Sequence, residues 1–188
     1  MDGKIIAIIV IAALIVLALL YIASTYNSFI RKRNSVEEAF ATMDVYLKKR
    51  WDLIPNLVAA VKGYAKHEAE TLEKVIAARN GRYQDLSDDE KIEVNKELAK
   101  GLSSINVVVE RYPDLKANEN FMNLQNQLNR TEDDIANARK YYNAVVRNYN
   151  NKVQMFPSSI IASMFKFTKK QMFAVENEAE REAVKVEF

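Results

Sequence analysis

Hydrophobicity divides the chain near residue 30. No charged side chain occurs from Ile5 to Ile30, and Ile5 to Ile22 is an almost pure run of Ile, Val, Leu and Ala. Eighteen such residues in a helix span roughly 27 Å, about the hydrocarbon thickness of a bilayer. A cleaved signal peptide would have only about 7 to 15 apolar residues, behind a stronger basic start and before an A-x-A-like site. The pattern therefore predicts a retained transmembrane anchor over residues 1–30, with residues 5–26 in contact with lipid.

Helical periodicity resumes after the basic triplet at 31–33. Apolar residues recur in steps of three and four, which indicates one buried helix face. The stripe consists of Val36, Phe40, Met43, Leu47, Trp51, Ile54, Val58, Val61, Ala65, Leu72 and Val75. Pro55 cannot donate to the carbonyl of Trp51, so a kink or break is expected there. The unbroken phase of the stripe favours a kinked continuous helix that stops at Asn80 and Gly81, although Asp52 would cap a second helix if the chain breaks.

Two more long helices follow. Ser87 and Glu90 have the spacing of a capping box, and the helix they begin must end before Pro113. Asp114 is then in place to cap the last helix. Heptad spacing in that helix predicts left-handed, coiled-coil-like packing. Its seven-residue series is Phe121, Leu128, Ile135, Tyr142, Tyr149 and Phe156, with Leu124, Ala138 and Val145 at the second seam position.

The segment after Pro157 is short, amphipathic and basic. Lys166, Lys169 and Lys170 lie among Ile, Met and Phe residues between 158 and 173. A short helix covering one end of the bundle and a segment docked on an anionic membrane surface are both consistent with this pattern. The sequence as a whole predicts an all-α protein with one N-terminal transmembrane helix and an antiparallel bundle of three to four long helices over 31–175. A charged C-terminal tail, 176–188, completes it.

Composition excludes several classes of function but indicates none. The 27 basic and 25 acidic residues give a net charge of +2, which is too balanced for a nucleic-acid-binding protein. The absence of cysteine excludes disulfides, thiolate metal sites and lipid attachment through a cysteine. The four glycines are far apart, so they form no phosphate-binding loop.

No residue set predicts catalysis, and we expect no catalytic, cofactor-binding or metal-binding residues. His67 is the only histidine, lies between Lys66 and Glu68, and is expected at the surface. The pairs Asp88–Asp89 and Asp133–Asp134 are interpreted as helix starts, where the dipole favours acids. The run Lys48–Arg50 is interpreted as a solvated face rather than an anion site.

Polar residues beside the heptad seam are the better candidates for a specific role. Glu132 and Arg139 are seven residues apart, and so are Asn143 and Asn150. If these side chains face inward they must pair with other polar groups, and Lys62 or Asp44 on the first helix are candidate partners. We interpret the set as a buried network that fixes helix register.

The stretch YLKKRWDLIPNLVAAVKGYAKHE, residues 46–68, resembles the signature of the LemA family of bacterial membrane-anchored proteins. Further similarity lies in YPDLKA at 112–117 and in the Tyr-Asn dipeptides at 26, 142 and 149. The loop at 82–87 and the tail after Val175 have no clear counterpart. The resemblance implies a membrane anchor, an all-helical domain and no established enzymatic activity, with one relative associated with magnetosome membrane formation.

These observations lead to the hypothesis of a non-enzymatic, membrane-anchored scaffold or adaptor. An accessory subunit of a membrane enzyme is one alternative, and a lipid or small-molecule sensor with a pocket between helices is another. A membrane protein is a candidate partner. We also expect a homo-oligomer, because rods over 34–80 and 115–156 would extend past a middle helix over 88–112. The extensions would expose Val36, Phe40, Met43, Tyr149 and Phe156.

Topology is the first testable prediction. Arg31, Lys32 and Arg33 follow the apolar run, whereas Lys4 alone precedes it, so the positive-inside rule places the bundle in the cytoplasm and the short N-terminus outside. A reporter that is active only in the cytoplasm should therefore be active when it is fused after Phe188, and a reporter that is active only outside the cytoplasm should not. Cleavage of that end by protease added outside intact cells would contradict the assignment.

Overall fold

The computed structural model describes residues 3–65, 67–79 and 81–173, and all regular structure within these ranges is helical. The helices are α1 Gly3–Tyr64, α2 Ala69–Ala77, α3 Asp88–Glu110, α4 Pro113–Lys116, α5 Glu119–Gln154 and α6 Ser158–Met164. A 3₁₀ turn, Tyr83–Asp85, precedes α3. The all-α prediction is confirmed. The predicted tail at 176–188 lies outside the described residues.

Helix α1 is continuous over 62 residues and contains Pro55. The proline is exposed, while Ile54 and Leu57 on either side of it are buried. A missing backbone hydrogen bond is cheaper on a solvated face, where water replaces the lost donor. The prediction of one continuous helix through Pro55 is confirmed, and Asp52 lies inside that helix rather than at the start of a second one. The expected kink at Pro55 stays a prediction.

The predicted end of the first helix at Asn80 and Gly81 is wrong, because α1 ends at Tyr64. The chain turns at 65–68, where the amide of Glu68 donates to the carbonyl of Ala65 at 3.2 Å. Helix α2 then runs back along α1, as the Arg79 guanidinium over the Trp51 ring at 4.8 Å demonstrates. Leu72 and Val75 keep the phase of the stripe and are buried, but the turn lets α2 pack against α3 as well as α1.

Pairs of contacting residues give the direction of each helix. Along α1 and α5, Phe29 contacts Tyr149, Phe40 contacts Tyr142, and Arg50 binds Glu132, so these helices are antiparallel. Along α1 and α3, Asp44 binds Lys91 and Arg50 binds Asn95, so these helices are parallel. The short return through α2 makes this possible. The result is an up-down-up-down bundle of α1, α2, α3 and α5.

The heptad series on α5 is confirmed for its first five members, which are all buried. Phe156 is the exception at 81% exposed, because α5 ends at Gln154 and Phe156 lies in the following turn. The predicted cap at Asp114 is also wrong. Pro113 starts the single turn α4, and α5 is capped by Asn118, whose side chain accepts from the amide of Phe121 at 3.0 Å. The capping box of Ser87 and Glu90 is present at the start of α3.

A short helix, α6, does follow Pro157, which agrees with the interpretation of that segment as a helix covering one end of the bundle. Helix α6 ends in a Schellman turn in which Phe167 and Lys166 donate to the carbonyls of Ala162 and Ser163. Lys166 takes the left-handed conformation, φ 58°, that this turn needs. The chain then continues without regular structure over 167–173, which we call the strap.

The strap and α6 remove the premise of the predicted homo-oligomer. Of the residues expected on bare overhangs, Val36, Phe40, Met43 and Tyr149 are buried within the chain, whereas Phe156 is 81% exposed. Phe167 of the strap stacks on Phe29 at 4.7 Å, and the Tyr142 hydroxyl donates to the carbonyl of Gln171 at 2.9 Å. The overhang of α1 and α5 beyond α3 is therefore covered by the same chain. The unequal lengths of the helices therefore no longer support the prediction of a homo-oligomer.

Packing of α2 on α3 yields a prediction at Gly101. A Cβ there would lie 2.9 Å from Cγ2 of Val75, whereas a Cβ at Gly63 on α1 would meet nothing within 4 Å. Gly63→Ala should gain up to about 1 kcal/mol of stability from helix propensity. The free energy of unfolding of Gly101→Ala should be lower than that of Gly63→Ala by about 1 kcal/mol or more, because the branched side chain of Val75 has few rotamers and must move to make room. Urea unfolding monitored by the single Trp51 measures both, and equal stabilisation would contradict the packing.

Candidate functional site

The most deeply buried charge among the described residues is Arg50, in the last third of α1. Its side chain is 1% exposed and its guanidinium makes five hydrogen bonds. Nη1 donates to both carboxylate oxygens of Glu132 at 3.0 and 2.9 Å. Nε and Nη2 donate to Oδ1 of Asn95 at 3.2 and 2.9 Å, and Nη2 also donates to the Asn95 backbone carbonyl at 2.6 Å. These bonds equal in number the five N–H donors of arginine and join α1, α3 and α5.

A second set of polar groups lies one turn toward the start of α3. Asp44 accepts from the Tyr83 hydroxyl at 2.6 Å and from Nζ of Lys91 at 2.9 Å. Asn95 links this set to Arg50, since its Nδ2 donates to the carbonyl of Lys91 at 2.9 Å. Burial, and then the adjacent Asp44 carboxylate, raise the pKa of Tyr83 well above its usual value. The phenol therefore stays protonated and acts as a fixed hydrogen-bond donor.

The structure corrects two interpretations of charged residues on α1. The run Lys48–Arg50 is not a uniformly solvated face: Lys48 pairs with Asp52 at the surface and Lys49 is exposed, but Arg50 is buried. Lys62 is exposed and takes no part in the network. Asp44 does supply a polar partner, although to Tyr83 and Lys91 rather than to α5.

The paired asparagines on α5 bind backbone instead of other side chains. Asn143 donates to the carbonyl of Phe173 and accepts from its amide at 2.9 and 2.8 Å. Asn150 makes the same pair of bonds with Lys170, both at 2.8 Å. Each carboxamide thus makes the two hydrogen bonds that a neighbouring strand would make to the same backbone residue in a β-sheet. The predicted inward network of Glu132, Arg139, Asn143 and Asn150 is therefore two separate sets of contacts. Glu132 binds Arg50 of α1, whereas Asn143 and Asn150 bind the backbone of the strap.

The spacing of the two asparagines matches the strap. Seven residues of helix advance about 10.5 Å, and three residues of extended chain advance about 10 Å. Lys170 and Phe173 can therefore meet Asn150 and Asn143 in turn with no loss of register. Phe173 is buried, and the Arg139 guanidinium lies 4.7 Å from the centre of its ring. Arg139 thus contacts the strap.

A polar cleft of about 500 Å³ lies between the strap, α1, α5 and the start of α3. Asp88 and Asp89 lie on one side, and Lys169 and Lys170 lie on the other. Burial raises the pKa of Asp88. Burial, followed by the charges of Asp88 and Asp89, raises the pKa of Tyr142 to about 12. At neutral pH Tyr142 is thus a donor to the strap, and the cleft is suited to holding polar chain or a small polar solute.

An apolar groove of about 290 Å³ lies at the opposite end of the bundle, between the end of α1 and α2. Val58, Ala65 and Leu72 form its floor, with Lys62 and Glu73 also among its lining residues. This volume is at the lower limit of small-molecule sites in proteins. The groove is a candidate binding site for a small apolar molecule.

The remaining sequence-predicted positions are scattered. His67 is exposed, as expected. Asp88 and Asp89 do begin α3, but Asp133 and Asp134 lie in the middle of α5, so the helix-start interpretation of that pair is wrong. Within residues 3–65, 67–79 and 81–173, no three His, Cys, Asp or Glu side chains form a group able to hold a metal ion.

Four residues of the polar network were missed, namely Arg50, Lys91, Asn95 and Tyr83, and three of them had a signal. Lys91 is seven residues from Leu98, a core position of its helix. Arg50 is seven residues from both Met43 and Leu57, and Asn95 is seven residues from Leu102, so both occupy core positions of their stripes. A polar residue at a core position indicates a buried polar contact. Tyr83 lies in an aperiodic loop and had no such signal.

Comparison with known proteins gives two findings. The model of the LemA family matches residues 39–188. Protein LemA of Metamycoplasma hominis is 24% identical over 137 residues, which are 72% of this chain and 63% of that relative. The chain thus spans less than two thirds of the length of this relative. Most of α1 beyond the apolar run, and the whole of α2 to α6, fall within the family match.

The network yields a prediction at Arg50. Arg50→Met leaves buried Asn95 and the partly exposed Glu132 carboxylate without their partner, and we expect a loss of about 2 kcal/mol in the free energy of unfolding. Lys49→Met, one residue away and exposed, should change it by about 0.5 kcal/mol or less. The double variant Arg50→Met with Glu132→Gln should recover part of the loss. Urea unfolding of the full chain in detergent is the measurement, and equal effects at Arg50 and Lys49 would contradict the assignment.

Proposed function

Because the chain belongs to the LemA family, we propose that it is a non-enzymatic, membrane-anchored scaffold whose helical bundle lies in the cytoplasm. The observation that carries the proposal is the continuity of α1. The apolar run near its start, the one stretch among the described helices long and apolar enough to span a membrane, joins the core of the bundle without a linker. Such a helix would hold the bundle at a fixed height and orientation, as a presenting surface requires.

The interior supports the same proposal. Each ionised or strongly polar group of the Arg50 and Asp44 sets is committed to a structural partner, and the Tyr83 and Tyr142 phenols stay protonated at neutral pH. General acid–base catalysis needs a group whose pKa lies near the working pH and that reaches a substrate. The network is instead suited to fixing three helices against each other. The exposed sides of α3 and α5, which include Val107 and Tyr141, are then the surfaces for a partner.

A lipid or small-molecule sensor is the second candidate, and the apolar groove between α1 and α2 favours it. Its volume of about 290 Å³ suits a ligand smaller than most drugs. Native mass spectrometry of the chain extracted from its own membrane distinguishes the two. A bound apolar molecule that is lost on Ala69→Trp, a substitution in the groove wall, would favour the sensor.

Crosslinking in cells tests the scaffold directly. A photocrosslinking amino acid at Val107 or Tyr141 should give discrete adducts with a membrane protein or with a second copy of the chain. The same amino acid at Ile54, which is buried, should give none. A single adduct with one enzyme would indicate the accessory-subunit alternative. The absence of discrete adducts from both exposed positions would overturn the scaffold proposal.

A further inference from the structure

Exposed apolar side chains cluster where α5 turns into α6. We call this cluster the tip, and it consists of Met155, Phe156, Ile160, Met164 and Phe165. Helix α6 has two unlike faces: Ile161 and Ala162 are buried against the bundle, whereas Ile160 and Met164 on the other side are more than half exposed. Five large apolar residues in one short segment exceed the scattered exposure usual on soluble surfaces.

Contacts with α1 fix the position of the tip relative to the apolar run. The centre of the Tyr26 ring lies 4.8 Å from that of the Phe165 ring and 5.7 Å from that of the Phe167 ring. Tyr26 is four residues beyond Ile22, where the apolar run ends, which is about 6 Å along the helix. The headgroup layer on each side of a bilayer is about 5 to 7 Å thick. The tip is therefore held at headgroup depth.

Basic residues lie just beyond this level: Arg31 and Lys32 are about 8 to 9 Å past Tyr26 along α1, within reach of the headgroups for long side chains. Nζ of Lys152 donates to Oγ of Ser28 at 2.6 Å and lies 5.5 Å from the centre of the Phe29 ring. Burial, and then the positive charges of Lys32 and Arg31, lower the pKa of Lys152. Cations gathered beside an exposed apolar surface match the two parts of an anionic lipid, whose phosphate accepts hydrogen bonds and whose acyl chains take up apolar side chains.

We propose that the tip inserts Phe156, Ile160 and Met164 into the leaflet that receives the end of the apolar run, with lipid phosphates bound by Arg31, Lys32 and Lys152. The inference rests on the proposed membrane anchoring. It gives the bundle a second point of attachment beside the first. A helix fixed at one point can rotate about its axis, whereas attachment at two points sets which face of the bundle is turned outward.

The absence of native cysteine makes a depth measurement direct. Spin labels are placed on single cysteines in the full chain, reconstituted in vesicles of phosphatidylglycerol and phosphatidylethanolamine. Collision rates with oxygen, which concentrates in the bilayer, and with a water-soluble nickel chelate give the depth of each label. Leu14→Cys reports the apolar run, Ile160→Cys reports the tip, and Val107→Cys on α3 is the exposed control. Leu14 and Ile160 should both favour oxygen, and Val107 should favour nickel.

Each other outcome overturns a stated part of the account. If Leu14 favours oxygen and Ile160 resembles Val107, the tip proposal is wrong and the anchoring proposal stands. If Leu14 itself favours nickel, both are wrong. Spin–spin broadening at Ile160 with low collision rates for both reagents would place a second copy on the tip and overturn lipid insertion. Ile160→Asp should shift a Met164→Cys label toward nickel at least several-fold, whereas Val107→Asp should leave that label unchanged.

Discussion

The continuity of α1 is the constraint on which the rest of the structure depends. Sixty-two residues form one helix, so the apolar run and about a third of the buried core residues belong to a single rod. Every other element packs against this rod and takes its direction from it. The strap and α6 cover the part of α1 that follows the apolar run, α3 and α5 flank the part around Arg50, and α2 returns along the end of α1. A flexible joint in the rod would remove the fixed relation between the apolar run and the bundle.

Arg50 fixes the elements around the rod. A guanidinium with 1% exposure is tolerated only while its donors are filled, and the filling groups come from α3 and α5. A rotation or slide of either helix by one turn would separate these atoms and leave a buried charge unpaired. The asparagines of α5 act on the strap in a similar way, since each offers one donor and one acceptor to a single backbone residue. Apolar packing supplies most of the stability, and these polar contacts select one register.

The sequence predicted elements better than it predicted the connections between them. Periodicity identified the helices and the continuity through Pro55, because burial of one face leaves a regular trace. The turn at 65–68 left none, since the stripe keeps its phase on both sides while its packing partner changes. The interpretation of Arg50 was wrong because composition does not distinguish it from the adjacent Lys48 and Lys49. Its seven-residue spacing from Met43 and Leu57 does. The strap could not be predicted, because backbone bound by side chains has no sequence period.

A distance along α1 tests this account most directly. Spin labels at Ser35→Cys and Lys62→Cys, both exposed positions, would flank Arg50 and Pro55 in the full chain. Twenty-seven residues of continuous helix separate them by roughly 40 Å. Pulsed electron paramagnetic resonance on the chain in lipid nanodiscs should give one narrow distribution near that distance. A broad distribution, or one centred well below it, would show a joint at Pro55 and contradict the single continuous helix on which the bundle is built.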